Sequence, residues 1–173
     1  MGNQNFSWKL ALNPLHLWIV GIIFVLDQLS KYWIIWTMRI GEGFFVLPFF
    51  EITHIKNKGA AFGIFHNSSP MFRIIFFGIV TIVCLYLLIY WLGTTPLSDR
   101  WQRIGLSLIL GGAIGNLKDR IIFGEVTDFL YIHYGDFYWP AFNIADAAIS
   151  GGVAIILLRV IPWGRSHKYR KAS

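Results

Sequence analysis

Four apolar stretches, at residues 15–36, 72–92, 104–122 and 142–161, alternate with polar linkers of unequal length. A helix that crosses the hydrocarbon core of a bilayer needs about 20 mostly apolar residues, so each stretch predicts a spanning helix. Trp18, Trp33, Trp36, Trp91, Trp101, Trp139 and Trp163 fall near the ends of these stretches. There an indole keeps its N–H wet and its ring in lipid. The linkers at 37–71 and 123–141 form one side of the pattern and carry a different signal. From Phe44 to Phe65, aromatic and β-branched residues alternate with Glu51, Thr53 and Lys56, then give way to Gly59, Ala60 and Ala61. Short strands and a tight turn are predicted there, and a further strand from Val126 to Ile132. The aromatic run Phe137-Tyr138-Trp139-Pro140 predicts a segment at the lipid interface. No internal repeat divides the chain, so residues 1–173 read as one domain. The expected fold is an all-α membrane protein of four transmembrane helices, with a small extracytoplasmic β-containing cradle and an interfacial segment.

Composition agrees with this pattern. Of 173 residues, 55% are hydrophobic and 14% charged, which is too apolar for an ordinary soluble domain. Residues 1–13 hold one Lys, and no small-residue cleavage pattern follows the first apolar run, so the first span is expected to be retained. The single cysteine, Cys84, lies in the second span, which rules out an intramolecular disulfide and suggests packing. The net charge of +6 comes from scattered bases except in the tail Arg165, Lys168, Arg170 and Lys171. This favours a membrane-surface anchor over nucleic acid. With Arg159, and with Arg100 and Arg103 read as a link between spans two and three, the tail places both termini in the cytoplasm.

Ionisable groups within spans are costly and mark candidate sites. The first span carries Asp27 and Lys31, the third Asn116, Asp119 and Arg120, and the fourth Asn143 and Asp146. Spans one and three run in parallel with these residues in their second halves. Span four runs oppositely with its polar residues in its first half. All three clusters therefore lie toward one leaflet, where the linkers bearing Asn57 and Asp128 also emerge. Asp27 and Lys31, four apart with the acid first, suit a structural ion pair. Asp119 and Arg120 suit a structural interfacial pair. Arg120 equally suits an anionic head group or a substrate carbonyl, and both readings stay open. The small residues from Gly111 to Gly115 read as a close helix contact. Asp128 and Asp146 differ from the rest: neither has a basic residue within a turn.

The chemistry left open is narrow. No HExxH helix, cysteine pair or histidine cluster suggests a metal site, and none is expected. Ser30 and Lys31 are adjacent and project in different directions from a helix, so they do not form a serine–lysine couple. The Gly-x-Gly-Asp signature of presenilin-like proteases is absent. Asp128 and Asp146 remain, eighteen positions apart. If close in space, they would share one proton, and one would act as base toward a water while the other polarises a carbonyl. Asn116 and Asn143 would orient them without adding charge. Ion- or proton-coupled transport is the alternative, although it predicts a midplane site between repeats. A scaffold using the outer loops is a third.

Five blocks carry a resemblance to a known family. Asp27-Gln28-Leu29-Ser30-Lys31, Asn57-Lys58-Gly59-Ala60-Ala61-Phe62-Gly63, the block from Gly111 to Arg120, Val126-Thr127-Asp128-Phe129 and Phe142-Asn143-Ile144-Ala145-Asp146 resemble, in order, the motifs of the lipoprotein signal peptidases. The resemblance implies an aspartic endopeptidase of the bacterial cytoplasmic membrane. Such an enzyme removes signal peptides from prolipoproteins by cutting before a diacylglyceryl-modified cysteine, works without a cofactor, and is inhibited by globomycin-type cyclic peptides. It makes Asp128 and Asp146 the catalytic pair. Asn57, Gly59, Asn116, Asp119, Arg120 and Asn143 become residues that line or support the site. Diacylglyceryl prolipoproteins and membrane lipid are the expected partners, nucleic acid is not, and a monomer is expected. Thr127 and Lys118 depart from apolar residues common in the family's blocks.

Overall fold

Capping side chains and prolines open the long helices of the chain, whose computed structural model describes residues 5–58 and 68–161. After a single turn, α1 (Trp8–Ala11), Asn13 accepts the Leu15 N–H and Pro14 occupies the first position of α2 (Pro14–Thr37). Two short strands follow, β1 (Gly43–Leu47) and β2 (Phe50–Asn57). Ser69 and Pro70 repeat the opening device at α3 (Pro70–Thr94). Asp99 caps α4 (Arg100–Phe123), which stops at Gly124 in the left-handed region, φ 71°. Then come β3 (Val126–Tyr134), β4 (Phe137–Phe142) and α5 (Ile144–Val160).

The strands form one antiparallel sheet in the order β1-β2-β3-β4. The two outer linkers thus fold together, with Ile55 opposite Asp128 and Asn57 opposite Val126. The strands expected in the two linkers are present, and backbone pairing between these distant segments joins them into one sheet, which nearest-neighbour patterning cannot show. The aromatic run 137–140 lies in β4, where Trp139 pairs with Ile132. Phe142 ends that strand and does not open the last helix, because Asn143 and Asp146 form a capping box that starts α5 at Ile144.

Helix α4 is the hub, packing on α2, α3 and α5. A Cβ at Gly112 would lie 2.4 Å from the Ala145 carbonyl oxygen, and one at Gly105 would lie 2.9 Å from that of Gly152, so the α4–α5 seam requires these small residues. Ile34, Met38 and Phe129 join α2 to the sheet, and Leu92, Leu106 and Leu110 join α3 to α4.

Among the described residues, two helices are long and apolar enough to cross a membrane, Pro14–Thr37 and Met71–Thr94. α4 carries Arg103, Asn116 and Asp119 on its buried side, and α5 has 17 residues. Large apolar side chains cover the outside, including Trp18, Trp36, Trp101 and Tyr134.

Arg103 is not a linker cation but a buried residue of the first turn of α4. It donates to His16 Nε2 at 2.6 Å and to the carbonyls of Leu92, Thr95 and Leu10, tying the chain start to the α3–α4 turn. Its burial removes it from the count of surface charge. Cys84 is exposed on the outside of α3 and takes no part in packing. The basic tail at 165–171 and Trp163 lie outside the described residues.

Candidate active site

The floor of the site is a buried ion cluster. Lys31 Nζ lies 2.8 Å from Asp27 Oδ2 and 2.7 Å from Asp119 Oδ2, and donates to Asn116 Oδ1 at 3.0 Å. Asp119 thus faces α2 and does not pair with its neighbour Arg120, because the turn of α4 points it inward. Gln28 donates to Asp27 Oδ2 and Asp119 Oδ1. Asp27 uses its other oxygen to accept the Ala145 N–H at 2.9 Å, fastening the first turn of α5 to α2. Gly115 leaves room for this, since a Cβ there would lie 2.6 Å from Asp27 Oδ2. Lys31 between two buried carboxylates, Lys118 at 3.6 Å from Asp119 Oδ1, and amides at the remaining positions meet the requirement that buried charge be paired and hydrogen-bonded.

Above this floor sit the two aspartates. Asp146 is the third residue of α5. Its Oδ1 accepts from Asn116 Nδ2 at 2.8 Å and its Oδ2 accepts the Asn143 N–H at 3.3 Å. Asp128, on β3, is buried at 2% exposure. Its Oδ1 accepts from Asn143 Nδ2 at 2.7 Å and its Oδ2 from Asn57 Nδ2 at 2.9 Å. Asn143 therefore spans the pair, its side chain holding Asp128 and its backbone holding Asp146. Each carboxyl is gripped by amides, and among the described residues neither forms an ion pair with Lys or Arg.

Burial pushes the Asp128 carboxyl up to about 7, and the nearby charge of Asp146 adds to the rise; hydrogen bonds from Asn57 and Asn143 pull the other way. A carboxyl that changes protonation near neutral pH beside a second carboxyl can pass a proton in either direction.

Of the residues singled out in the sequence, Asp27, Lys31, Asn57, Asn116, Asp119, Asp128, Asn143 and Asp146 form one connected network. Arg120 stands at its edge, donating to the Asn116 carbonyl at 3.4 Å with its guanidinium 5.3 Å from the Phe77 ring centre. Its charge interacts with those of Asp146, Asp128 and Asp119. Gly59 lies outside the described residues. Sequence reasoning passed over Gln28 as a site-supporting residue, although a polar side chain between Asp27 and Lys31 in an apolar run was a signal. It also passed over Lys56, which donates to Thr127 Oγ1 at 3.0 Å beside Asp128. Only strand pairing brings those two together.

A model of the family described as Signal peptidase (SPase) II matches residues 19–162. The chain belongs to the signal peptidase II family. Among its relatives, the lipoprotein signal peptidase of Syntrophus aciditrophicus is 43% identical over 86% of this chain and 94% of its own length. That of Cellvibrio japonicus is 45% identical over 90% of this chain and 86% of its own length. That of Alteromonas mediterranea is 42% identical over 82% and 78%. A bacterial membrane enzyme solved by the in meso method at 2.3 Å resolution superposes with a TM-score of 0.80 at 32% identity, over 98% of this chain and 99% of that one. A second, at 1.9 Å, gives 0.77 at 34% identity over 93% and 99%. This member of the family carries the whole polar network within the matched residues.

Proposed function

We propose that the chain is an aspartic endopeptidase that removes signal peptides from bacterial prolipoproteins, cutting before a diacylglyceryl-modified cysteine. The observation that carries this reading is the bridging of Asp128 and Asp146 by Asn143, with neither carboxyl paired to a Lys or Arg among the described residues. Relatives named lipoprotein signal peptidase supply the substrate class.

Asp128, held protonated by its burial, donates to the scissile carbonyl oxygen. Asp146 takes a proton from a water held between the two carboxyls, and the water oxygen bonds to the carbonyl carbon. As the resulting diol collapses, the C–N bond breaks. Asp146 passes its proton to the leaving amine, and a diol hydroxyl returns one to Asp128. A free acid and the amine of the lipidated cysteine are released, and both carboxyls regain their starting states. Asn116 and Asn143 orient the pair, Asn57 tunes Asp128, and Asp27, Lys31 and Asp119 form the base beneath them. Arg120 and Gly59 complete the substrate-binding side. No metal or cofactor enters.

All four long helices are assigned to the membrane, as one domain. The polar side chains that lower the apolarity of α4 turn inward, which is where spanning helices put them. α5 rises about 26 Å at 1.5 Å per residue, close to the bilayer core. In the bacterial cytoplasmic membrane, with both termini inside, the sheet then forms an extracytoplasmic cradle. The enzyme acts as a monomer and is blocked by globomycin.

Reconstituted protein with a diacylglyceryl prolipoprotein, scored by gel shift, tests the reading. Wild type is expected to cleave it, globomycin to stop cleavage, and Asp128→Asn or Asp146→Asn each to abolish it. Folded wild type that leaves the substrate intact would overturn the assignment.

A further inference from the structure

A cleft of about 410 Å³ opens directly beside Asp146. One wall is α5, where Asp146, Ala147 and Ser150 line it; the other is the sheet, through Ile132, Trp139 and Phe142. Ile132 and Trp139 are cross-strand partners and so share a face of the sheet. Phe137, two residues before Trp139 and on the same face, extends the rim. Both rim aromatics are well exposed, at 66% for Phe137 and 56% for Trp139. On the helix side, Ala147 and Ser150 are exposed and small, which keeps the first two turns of α5 open to whatever lies alongside.

The chemistry of this cleft is lopsided. At one end stands a carboxyl of the catalytic pair, and beyond it the lining is apolar except for the Ser150 hydroxyl and the Trp139 indole. A polar peptide would leave its N–H and C=O groups without partners there, at a cost of roughly 1–3 kcal/mol each. Hydrocarbon incurs no such cost. The size also bears on the occupant: a methylene occupies close to the share of one liquid water, roughly 30 Å³, so the cleft holds on the order of a dozen carbons in line. No single amino-acid side chain is that large.

We propose that this cleft seats one acyl chain of the substrate's lipid-modified cysteine, and that Ala147, Ser150 and Trp139 set the chain length the enzyme prefers. The inference rests on the lipoprotein peptidase reading and adds to it a specificity subsite. That cysteine becomes the new N-terminus of the product, so its chain lies on the leaving-amine side of the scissile bond. With the chain in the cleft, the amine is held next to Asp146, the group that must protonate it. The lipid thus fixes both the depth and the direction in which the peptide enters the site.

The test uses the full chain in detergent with synthetic prolipoprotein peptides of one sequence whose diacylglyceryl cysteine carries short, medium or long acyl chains. For wild type, KM is expected to fall with each methylene added until the cleft is filled and then to level off, by less than the about fourfold per methylene of a transfer from water, because the free chain already lies in detergent. Ser150→Leu and Ala147→Leu shorten the cleft from the helix side, on an exposed face where the fold tolerates them. Each should raise KM for the long-chain substrate and move the levelling point to shorter chains, with KM for the short-chain substrate little changed. Trp139→Ala opens the other wall and should weaken the dependence on length, and thermal melts confirm that each variant is folded. Length profiles parallel to wild type in all three variants would overturn the proposal. So would variants that respond to the size of the signal-peptide side chains and not to the acyl chain, which would give the cleft to the peptide. If wild type cleaves none of the lipidated peptides, the peptidase reading itself fails, a result distinct from cleavage without length dependence.

Discussion

Lys31 fixes which way Asn116 faces: its ammonium occupies the amide oxygen at 3.0 Å, so the amide nitrogen is the atom that meets Asp146, at 2.8 Å. An amide is nearly symmetric in shape and can be flipped. The lysine, having no acceptor capacity, removes that freedom. The Asp27–Lys31 pair, which by spacing alone is a helical tie, therefore extends through Asn116 to Asp146.

Lys31→Met is expected to do two separable things. It leaves Asp27 buried without its counter-charge and Asp119 with only Lys118, 3.6 Å from its Oδ1, which costs about 3–5 kcal/mol of stability. It also frees Asn116, and a misplaced Asp146 should lower kcat by about 100-fold. Adding Asp119→Asn removes one of the stranded charges and should recover part of the melting temperature with little recovery of kcat. Equal recovery of both would show that the lysine acts on stability alone.

A second prediction concerns Asn57. Its hydrogen bond favours the ionised form of Asp128, while burial and Asp146 favour the protonated form. In the proposed mechanism the active form carries the proton on Asp128, so kcat/KM should fall as pH rises through about 7, the value to which that carboxyl is pushed. Asn57→Ala removes a donor to the charged form, and the carboxyl moves still higher. The alkaline limb of the pH–rate profile should shift up by about one unit, with a loss at the optimum of about tenfold or less. A limb that stays in place would detach Asn57 from the titrating group.

The same carboxyl gives stability a definite pH dependence. Asp128 titrates about 7 in the folded protein against 3.8 for the free side chain. Between those values the folded state binds more protons than the unfolded one, so stability should decline as pH rises across that window and flatten above it. Asp128→Asn, expected to abolish cleavage, removes this contribution. The melting temperature of the variant should therefore fall less than that of wild type between pH 4 and 7, with the difference worth up to a few kcal/mol. Parallel melting curves would place the titrating group elsewhere.

How much of this was legible from residues alone depended on the range of the interaction. The long helices followed from local apolarity, and their caps at Asn13, Ser69 and Asp99 lay close to the expected starts. The convergence of Asp27, Asn116 and Asp146 followed from helix direction alone, since alternate helices run oppositely. The pairing of β2 with β3 did not follow, because it joins residues some seventy positions apart, such as Lys56 with Thr127. Neither did the inward turn of Asp119 or the burial of Arg103. Composition places a charge in a segment, but only packing decides which side of the helix it faces.

The glycines of the α4–α5 seam offer a test of that packing. Gly112 lies one turn before Asn116 and against Ala145, the neighbour of Asp146, whereas Gly105 lies toward the other end of the same seam against Gly152. A methyl group at either position meets backbone that cannot move aside, and each alanine variant should lose about 1–3 kcal/mol. The effects on catalysis should differ. Gly112→Ala pushes α5 away just where Asn116 reaches Asp146, so that 2.8 Å hydrogen bond lengthens and kcat falls by about 100-fold. Gly105→Ala opens the seam far from the carboxyls and should leave kcat within about threefold when both variants are assayed well below their melting temperatures. Two variants of like stability and unlike kcat would tie the rate to the spacing of two helices at one level of the bundle. Equal losses would mean that the seam moves as a rigid body and that the positions of Asn116 and Asp146 are set by the sheet above them.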